Sequence, residues 1–135
     1  MFKIDNKLKE DTIFVESLEL CDLLLMNDVK YPWFILVPRV VDAVELIDID
    51  FELQKKILAE ISYISRLLKE DFAADKINVA NLGNVVKQLH IHVLARYYDD
   101  YSFPNPVWCN NSAVPYNNLQ IAEIIKKYHD FKSRN

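Results

Sequence analysis

Polar and apolar residues alternate through Gln88-Leu89-His90-Ile91-His92-Val93, and Ala95 extends the apolar set. Successive side chains of a β-strand point to opposite faces. The pattern therefore demands a sheet with Leu89, Ile91 and Val93 packed on a core and Gln88, His90 and His92 on the other face. Two of the chain's three histidines lie side by side, with an amide next to them. Hydrogen-bonding side chains in a row on an apolar strand mark a candidate site. Asn81-Leu82-Gly83-Asn84 leads into it and holds the only glycine, which predicts a positive φ or a close backbone approach there. The strand itself is predicted over 85–96.

Upstream, Thr12 to Glu16 is β-branched and aromatic, Leu18 to Met26 is rich in leucine, and Trp33 to Val37 is an unbroken apolar run stopped by Pro38. These read as three strands, close enough together to be antiparallel neighbours. From Asp50 to Glu70 the period changes. Leu53, Ile57, Ile61, Ile64 and Leu68 recur at spacings of three and four, which predicts one long amphipathic helix with Asp48 or Asp50 as its cap. Lys76 to Ala80 alternates again and reads as a strand. Tyr101 to Asn117 carries three prolines and no period, so a loop is predicted, with Trp108 needing a place to pack. Asn117 and Gln120 resemble a capping box; Leu119, Ala122, Ile125 and Tyr128 would face the body from a C-terminal helix that fades by Ser133. The plan is an α+β fold: an antiparallel sheet of about five strands, one long helix and a C-terminal helix, all in a single domain spanning 1–135.

The net charge of −4 argues against a general surface for nucleic acid polymers. Cys21 and Cys109 form no framework and no CxxC pair, so free thiols in a reducing compartment are expected. Met1 to Asp11 alternates Lys and acid with no apolar run. No signal peptide is expected there, nor any membrane span elsewhere, and the chain reads as cytoplasmic.

Neutral imidazole is a competent nucleophile near pH 7 and its phosphorus adduct turns over. A second histidine two residues on, ~7 Å along the strand, can bind a phosphate oxygen or help the leaving group depart. The Gln88 amide can donate to another oxygen, and turn amides from Leu82 to Val85 can act as an oxyanion hole. On residues alone, two other readings stand beside this one. His90 and His92 can be half of a metal site that Asp or Glu would complete, or they can be structural. His129, on the last helix, reads as a surface residue.

Gln88-Leu-His90-Ile-His92-Val-Leu-Ala-Arg96 resembles the active-site strand of the histidine-triad (HIT) superfamily, whose motif is His-φ-His-φ-His-φ-φ. Pro32-Trp-Phe-Ile-Leu-Val-Pro38-Arg39 resembles the core strand before the family's long helix, and Gly83-Asn84 resembles its Gly-Gln step. The likeness covers about residues 12–108 and is nearest to a bacterial branch with Gln at the first triad position. It implies a nucleotide hydrolase or transferase that splits an α-phosphorus bond of a phosphoramidate, dinucleoside polyphosphate or acyl-adenylate. His90 would form the nucleotidyl-histidine intermediate, and His92 would contact the α-phosphate and assist departure. Asn84, and more loosely Asn81, would contact phosphate; Asn27 would meet the ribose hydroxyls. With Gln88, Gly83 and Trp108, these make up the expected site. The resemblance implies no metal and no cofactor, a small-molecule nucleotide as substrate, and a homodimer whose sheets pair across a two-fold axis.

Three positions depart from the family pattern. Gln88 removes an imidazole from any proton relay, which is harmless if that position works through its main-chain carbonyl. Trp33 stands where other branches carry a further histidine, and Val85 where Ser or Thr is frequent. The alternative expectation is a catalytically weak nucleotide-binding or dimeric interaction module. Trp108, with Pro104-Asn105-Pro106, is expected either in the pocket wall or packed against the body or a dimer partner.

Overall fold

The computed structural model describes residues 1–109 and 112–135, with Cys109 described by its backbone alone. The middle of the predicted 101–117 loop and the Cys109 thiol therefore lie outside the described residues. Five strands form one antiparallel sheet: β1 (Thr12–Ser17), β2 (Cys21–Met26), β3 (Trp33–Pro38), β4 (Lys76–Ala80) and β5 (Ile91–Arg96), in the order β1-β2-β3-β5-β4. Helix α2 (Phe51–Glu70) and helix α3 (Asn118–Arg134) cover one face, and a short helix α1 (Asn6–Asp11) packs on the other.

The period-two reading of β5 holds where the strand exists. Leu89, Ile91, Val93 and Ala95 join Ile57, Ile64, Leu67 and Leu68 of α2, with Tyr128 and Phe131 of α3, in the main core. Trp33, Ile35, Val37 and Leu94 form the opposite cluster with Leu8 of α1 and Val107. Each fully buried aliphatic side chain contributes about 1.5–3 kcal/mol, so the sheet is held from both sides.

The strand is shorter than predicted. It begins at Ile91, not Val85, because its neighbours run out: β3 pairs only as far as Leu36 opposite Ile91, and β4 only as far as Ala80 opposite His92. Pro38 closes β3, and with no ladder partner the 85–90 segment stays irregular. Leu89 is nonetheless pinned, its amide donating to the Ala43 carbonyl at 2.9 Å. Likewise β2 starts at Cys21; Leu18 to Leu20 form a turn in which the Leu18 amide donates to the Cys21 carbonyl.

Helix α2 has Asp50 as its cap, accepting from the Glu52 amide at 3.2 Å. On its core face Glu60 is buried and accepts from the Leu20 and Cys21 amides at 3.0 and 2.9 Å. Burial, then the Glu60 carboxylate, pushes the Cys21 thiol up and leaves it inert. In α3 the capping box of Asn117 and Gln120 is formed, but Leu119 and Ala122 are exposed; Tyr128 and Phe131 carry the packing. Tyr128 and Lys132 both donate to the Glu16 carboxylate, which ties α3 to β1. No helix among the described residues is long and apolar enough to cross a membrane.

Candidate functional site

His90 and His92 are 4% and 5% exposed, and their ring centroids lie 4.9 Å apart. Each ring has one nitrogen committed. His90 Nδ1 lies 2.7 Å from the main-chain carbonyl of Gln88. A carbonyl only accepts, so Nδ1 carries a proton, and in the neutral ring Nε2 keeps its lone pair. His92 Nδ1 lies 3.0 Å from the indole Nε1 of Trp33. An indole N–H only donates, so His92 holds its proton on Nε2. Burial, and then the neighbouring His90, lowers the His92 pKa to about 3, so the ring is neutral at physiological pH. Among the described residues no side-chain nitrogen or oxygen is both buried and unpartnered. The two Nε2 atoms, which find no partner among the described residues, are therefore open to the cavity. One offers a lone pair and the other an N–H.

That cavity holds about 410 Å³ and is walled by Trp33, Leu82, Asn84, Val86 and Trp108, with Lys7 and Asp11 of α1 at its mouth. Lys7 and Asp11 form an ion pair at 3.0 Å. Trp108 stands edge-on to Trp33 at 5.8 Å and to His92 at 5.1 Å, so it is in the pocket wall. A second lobe of about 450 Å³ shares Lys7, Asp11, Met26, Trp33 and Trp108 with the first and continues to Asn27, Asp28 and Lys30. Asn27 Oδ1 accepts from the Tyr116 amide at 2.9 Å, and its NH₂ has no hydrogen-bond partner among the described residues. The amides of Gly83, Asn84, Val85 and Val86 donate to no acceptor among the described residues.

The structure thus brings His90, His92, Asn84 and Trp108 to one hollow, with Asn27 in the adjoining lobe. It leaves Asn81 and Gly83 exposed on the loop behind the wall. Gly83 has no positive φ. A Cβ there would meet the Val86 carbonyl at 3.3 Å, so the loop's close approach is what the glycine permits.

Gln88 behaves differently from expectation. Its side chain points away from the histidines: Nε2 donates to the Lys3 carbonyl at 2.7 Å and Oε1 accepts from the Asp5 amide at 2.8 Å. Both ends of one amide are used to hold the N-terminal arm. Asp5 in turn caps α1, accepting from the Lys7 amide at 2.8 Å, and α1 supplies Lys7 and Asp11 to the mouth. The main chain of Gln88 orients the His90 ring while its side chain anchors the N-terminal arm. Gln88→Ala is expected to free the arm, losing about 1 kcal/mol per hydrogen bond and speeding amide exchange at Asp5, while the His90 contact to the main chain persists. Protection at Asp5 unchanged from the parent would refute the anchoring role.

Sequence reasoning missed Lys7 and Asp11 because α1 is a six-residue helix with one buried residue, Leu8, too short to show a period. The Asp5 cap ahead of Leu8 was its one signal. Among the described residues no group of three His, Cys, Asp or Glu could hold a metal ion, and both Nδ1 atoms of the histidine pair are spoken for.

Comparison with known proteins bears on this geometry. The HIT domain model matches residues 7–99. A histidine triad protein from Marinobacter aquaeolei VT8 is 42% identical, with a TM-score of 0.95 over 99% of this chain and 98% of its own. One from Bradyrhizobium japonicum is 41% identical, with a TM-score of 0.93 over 96% of each chain. One from Sinorhizobium meliloti 1021 is 36% identical, again with a TM-score of 0.93 over 96% of each chain. No curated protein matches the chain. Since the family model spans all five strands with His90 and His92, this chain belongs to the HIT domain family.

Proposed function

We propose that this protein is a nucleotidyl hydrolase or transferase working through a covalent intermediate on His90, in keeping with the chemistry general to its family. The observation that carries the reading is the pair of opposite tautomers: a lone pair on His90 Nε2 beside an N–H on His92 Nε2, both open to one phosphate-sized hollow. His90 Nε2 attacks the α-phosphorus of a nucleotide conjugate, the bond to the leaving group breaks, and the Gln88 carbonyl holds the charged ring. Water then attacks phosphorus, the N–P bond breaks, and a nucleoside monophosphate is released. Asn84 and the loop amides from Asn84 to Val86 receive phosphate oxygens, a preorganised arrangement that costs nothing during reaction. The lobe bearing Asn27 takes the ribose. Gln88, at the first triad position, is fully adequate through its main chain, as in the bacterial branch that the sequence resembles.

We read residues 1–135 as one cytoplasmic domain that pairs with a second copy along β4, whose outer edge has no strand partner among the described residues. The test of the activity is a panel of adenylyl and guanylyl conjugates, assayed for monophosphate release, with acid-free quenching and mass spectrometry for the nucleotidyl adduct. We expect release and an adduct on His90, undiminished by excess chelator. Nucleotide binding with neither release nor adduct would make this a binding module instead of an enzyme.

A further inference from the structure

A leaving group on phosphorus departs with the electron pair of the bond it loses, and its basicity decides what help it needs. Phosphate chains and carboxylates are stable anions at neutral pH, with protonation near pH ~6 and ~4 respectively. An amine is not: its nitrogen must take a proton as the P–N bond breaks. A site that cleaves P–N bonds needs an acid beside the departing atom that titrates near the working pH.

The group placed beside His90 is His92, and what stands behind His92 is Trp33. The indole N–H points at Nδ1 from 3.0 Å, and the imidazole is packed between Trp33 and Trp108 with centroids at 5.6 and 5.1 Å. A second proton on this ring would set N–H against N–H with no space to turn aside. The charged and titratable groups around the hollow give no compensation. The approach to β5 contributes His90, α1 contributes Lys7 and Asp11 already paired with each other, and β2, β3 and the loop contribute Met26, Trp33 and Asn84. The low pKa of His92 agrees. A neutral imidazole that holds only its Nε2 proton can hydrogen-bond a departing oxygen but cannot surrender that proton without becoming imidazolate.

We infer that Trp33 is a specificity-determining residue: by fixing His92 as a neutral Nε2–H donor it confines the site to nucleotidyl mixed anhydrides, joined through oxygen to phosphate or carboxylate, and disfavours phosphoramidates. The inference rests on the nucleotidyl-histidine chemistry proposed above and narrows its substrates. In the step, the His90 Nε2 lone pair forms the N–P bond and the P–O bond breaks with its pair on the leaving oxygen. That oxygen accepts a hydrogen bond from His92 Nε2–H and leaves as an anion. The proton of the water that later resolves the intermediate goes to solvent.

The test compares kcat/KM of the intact protein at pH 7.5 for acetyl adenylate, a diadenosine polyphosphate and adenosine 5′-phosphoramidate. Both anhydrides should exceed the phosphoramidate by at least about a hundredfold, the lower end of what a positioned acid contributes. Turnover of the phosphoramidate should rise as pH falls, because solvent must supply the proton. Trp33→His, whose ring can accept from an Nδ1–H of His92, should narrow the gap at least about tenfold. The ¹⁵N spectrum of the parent should show His92 unprotonated at Nδ1 down to pH 5. Equal turnover of amine and anhydride conjugates by the parent would overturn the inference while leaving the nucleotidyl-transfer reading intact. So would an unmoved gap in a folded Trp33→His variant. Turnover of none of the three, with no adduct, would overturn that reading and the inference together. If Trp33→His does not fold, the comparison in the parent and the spectrum still decide.

Discussion

Alanine at position 90 is expected to lower monophosphate release roughly 10⁴- to 10⁶-fold, the range seen when a covalent nucleophile is removed from an otherwise intact site. The argument is chemical. Among the described residues His90 Nε2 is the one imidazole nitrogen in the hollow with a free lone pair, since His92 Nδ1 is taken by Trp33 and its Nε2 carries the proton. His92 cannot substitute for it. The fold should survive, because the His90 side chain contributes a single hydrogen bond, to the Gln88 carbonyl, worth about 1 kcal/mol. His90→Asn should retain nucleotide affinity, read by titration calorimetry, because the pocket walls and loop amides stay in place. Single-turnover release from His90→Ala within a few-fold of the parent would mean that no nucleotidyl-histidine forms.

Much of this arrangement can be read from the chain because its local patterns agree with its packing. The alternation at Leu89, Ile91 and Val93 predicts the core face that α2 covers, and the three-four spacing from Leu53 to Leu68 predicts α2 itself. Lys76 to Ala80 is a strand with the bounds its pattern gives. What sequence cannot carry is pairing. The alternation at Gln88 to His90 looks the same as that from Ile91 onward, yet only the latter has strands on both sides. A strand's end is set by its partners, and those lie dozens of residues away.

The same limit explains the site. Periodicity puts His90 and His92 on one face, and the family likeness marks Trp33 as a departure behind them. That the departure takes the form of an indole N–H on His92 Nδ1, across 59 residues, depends on the register that sets Trp33 opposite Leu94. Gln88 shows the converse. Its place in the motif is visible, but its side-chain partners, Lys3 and Asp5, belong to an arm whose charged composition shows no period and whose one sign of order is the Asp5 cap. Polar side chains on apolar elements are the hardest to assign from pattern alone, and Glu60, on the core face of α2, is another case.

Arg96→Met is expected to cost about 3–5 kcal/mol of folding stability, the usual penalty for removing one partner of a buried ion pair. Arg96 is 2% exposed and spends its guanidinium on the Asp100 carboxylate at 2.8 and 3.1 Å, Asn78 Oδ1 at 3.0 Å, Ser102 Oγ at 3.2 Å and the Asn105 carbonyl at 2.9 Å. It also lies over the rings of Tyr31 and Phe103. Burial works to raise the Asp100 carboxyl, but Arg96 and the amides of Tyr97, Phe103 and Ser102 outweigh it and bring the pKa down to about 2. A carboxyl held below its unfolded value of about 3.9 stabilises the fold above that pH and ceases to do so as pH falls toward 2. The parent should therefore lose stability across that window in urea melts, and Arg96→Met should show a weaker acid dependence from an already lower start. The consequence reaches the hollow, because the Ser102 and Asn105 contacts hold the loop that carries Val107 into the site-side core and Trp108 into the pocket wall. If the variant still folds, Trp108 should become more accessible to a fluorescence quencher before any global unfolding. A variant as stable as the parent at pH 7, with Trp108 equally shielded, would show that neither the fold nor the pocket depends on this arginine.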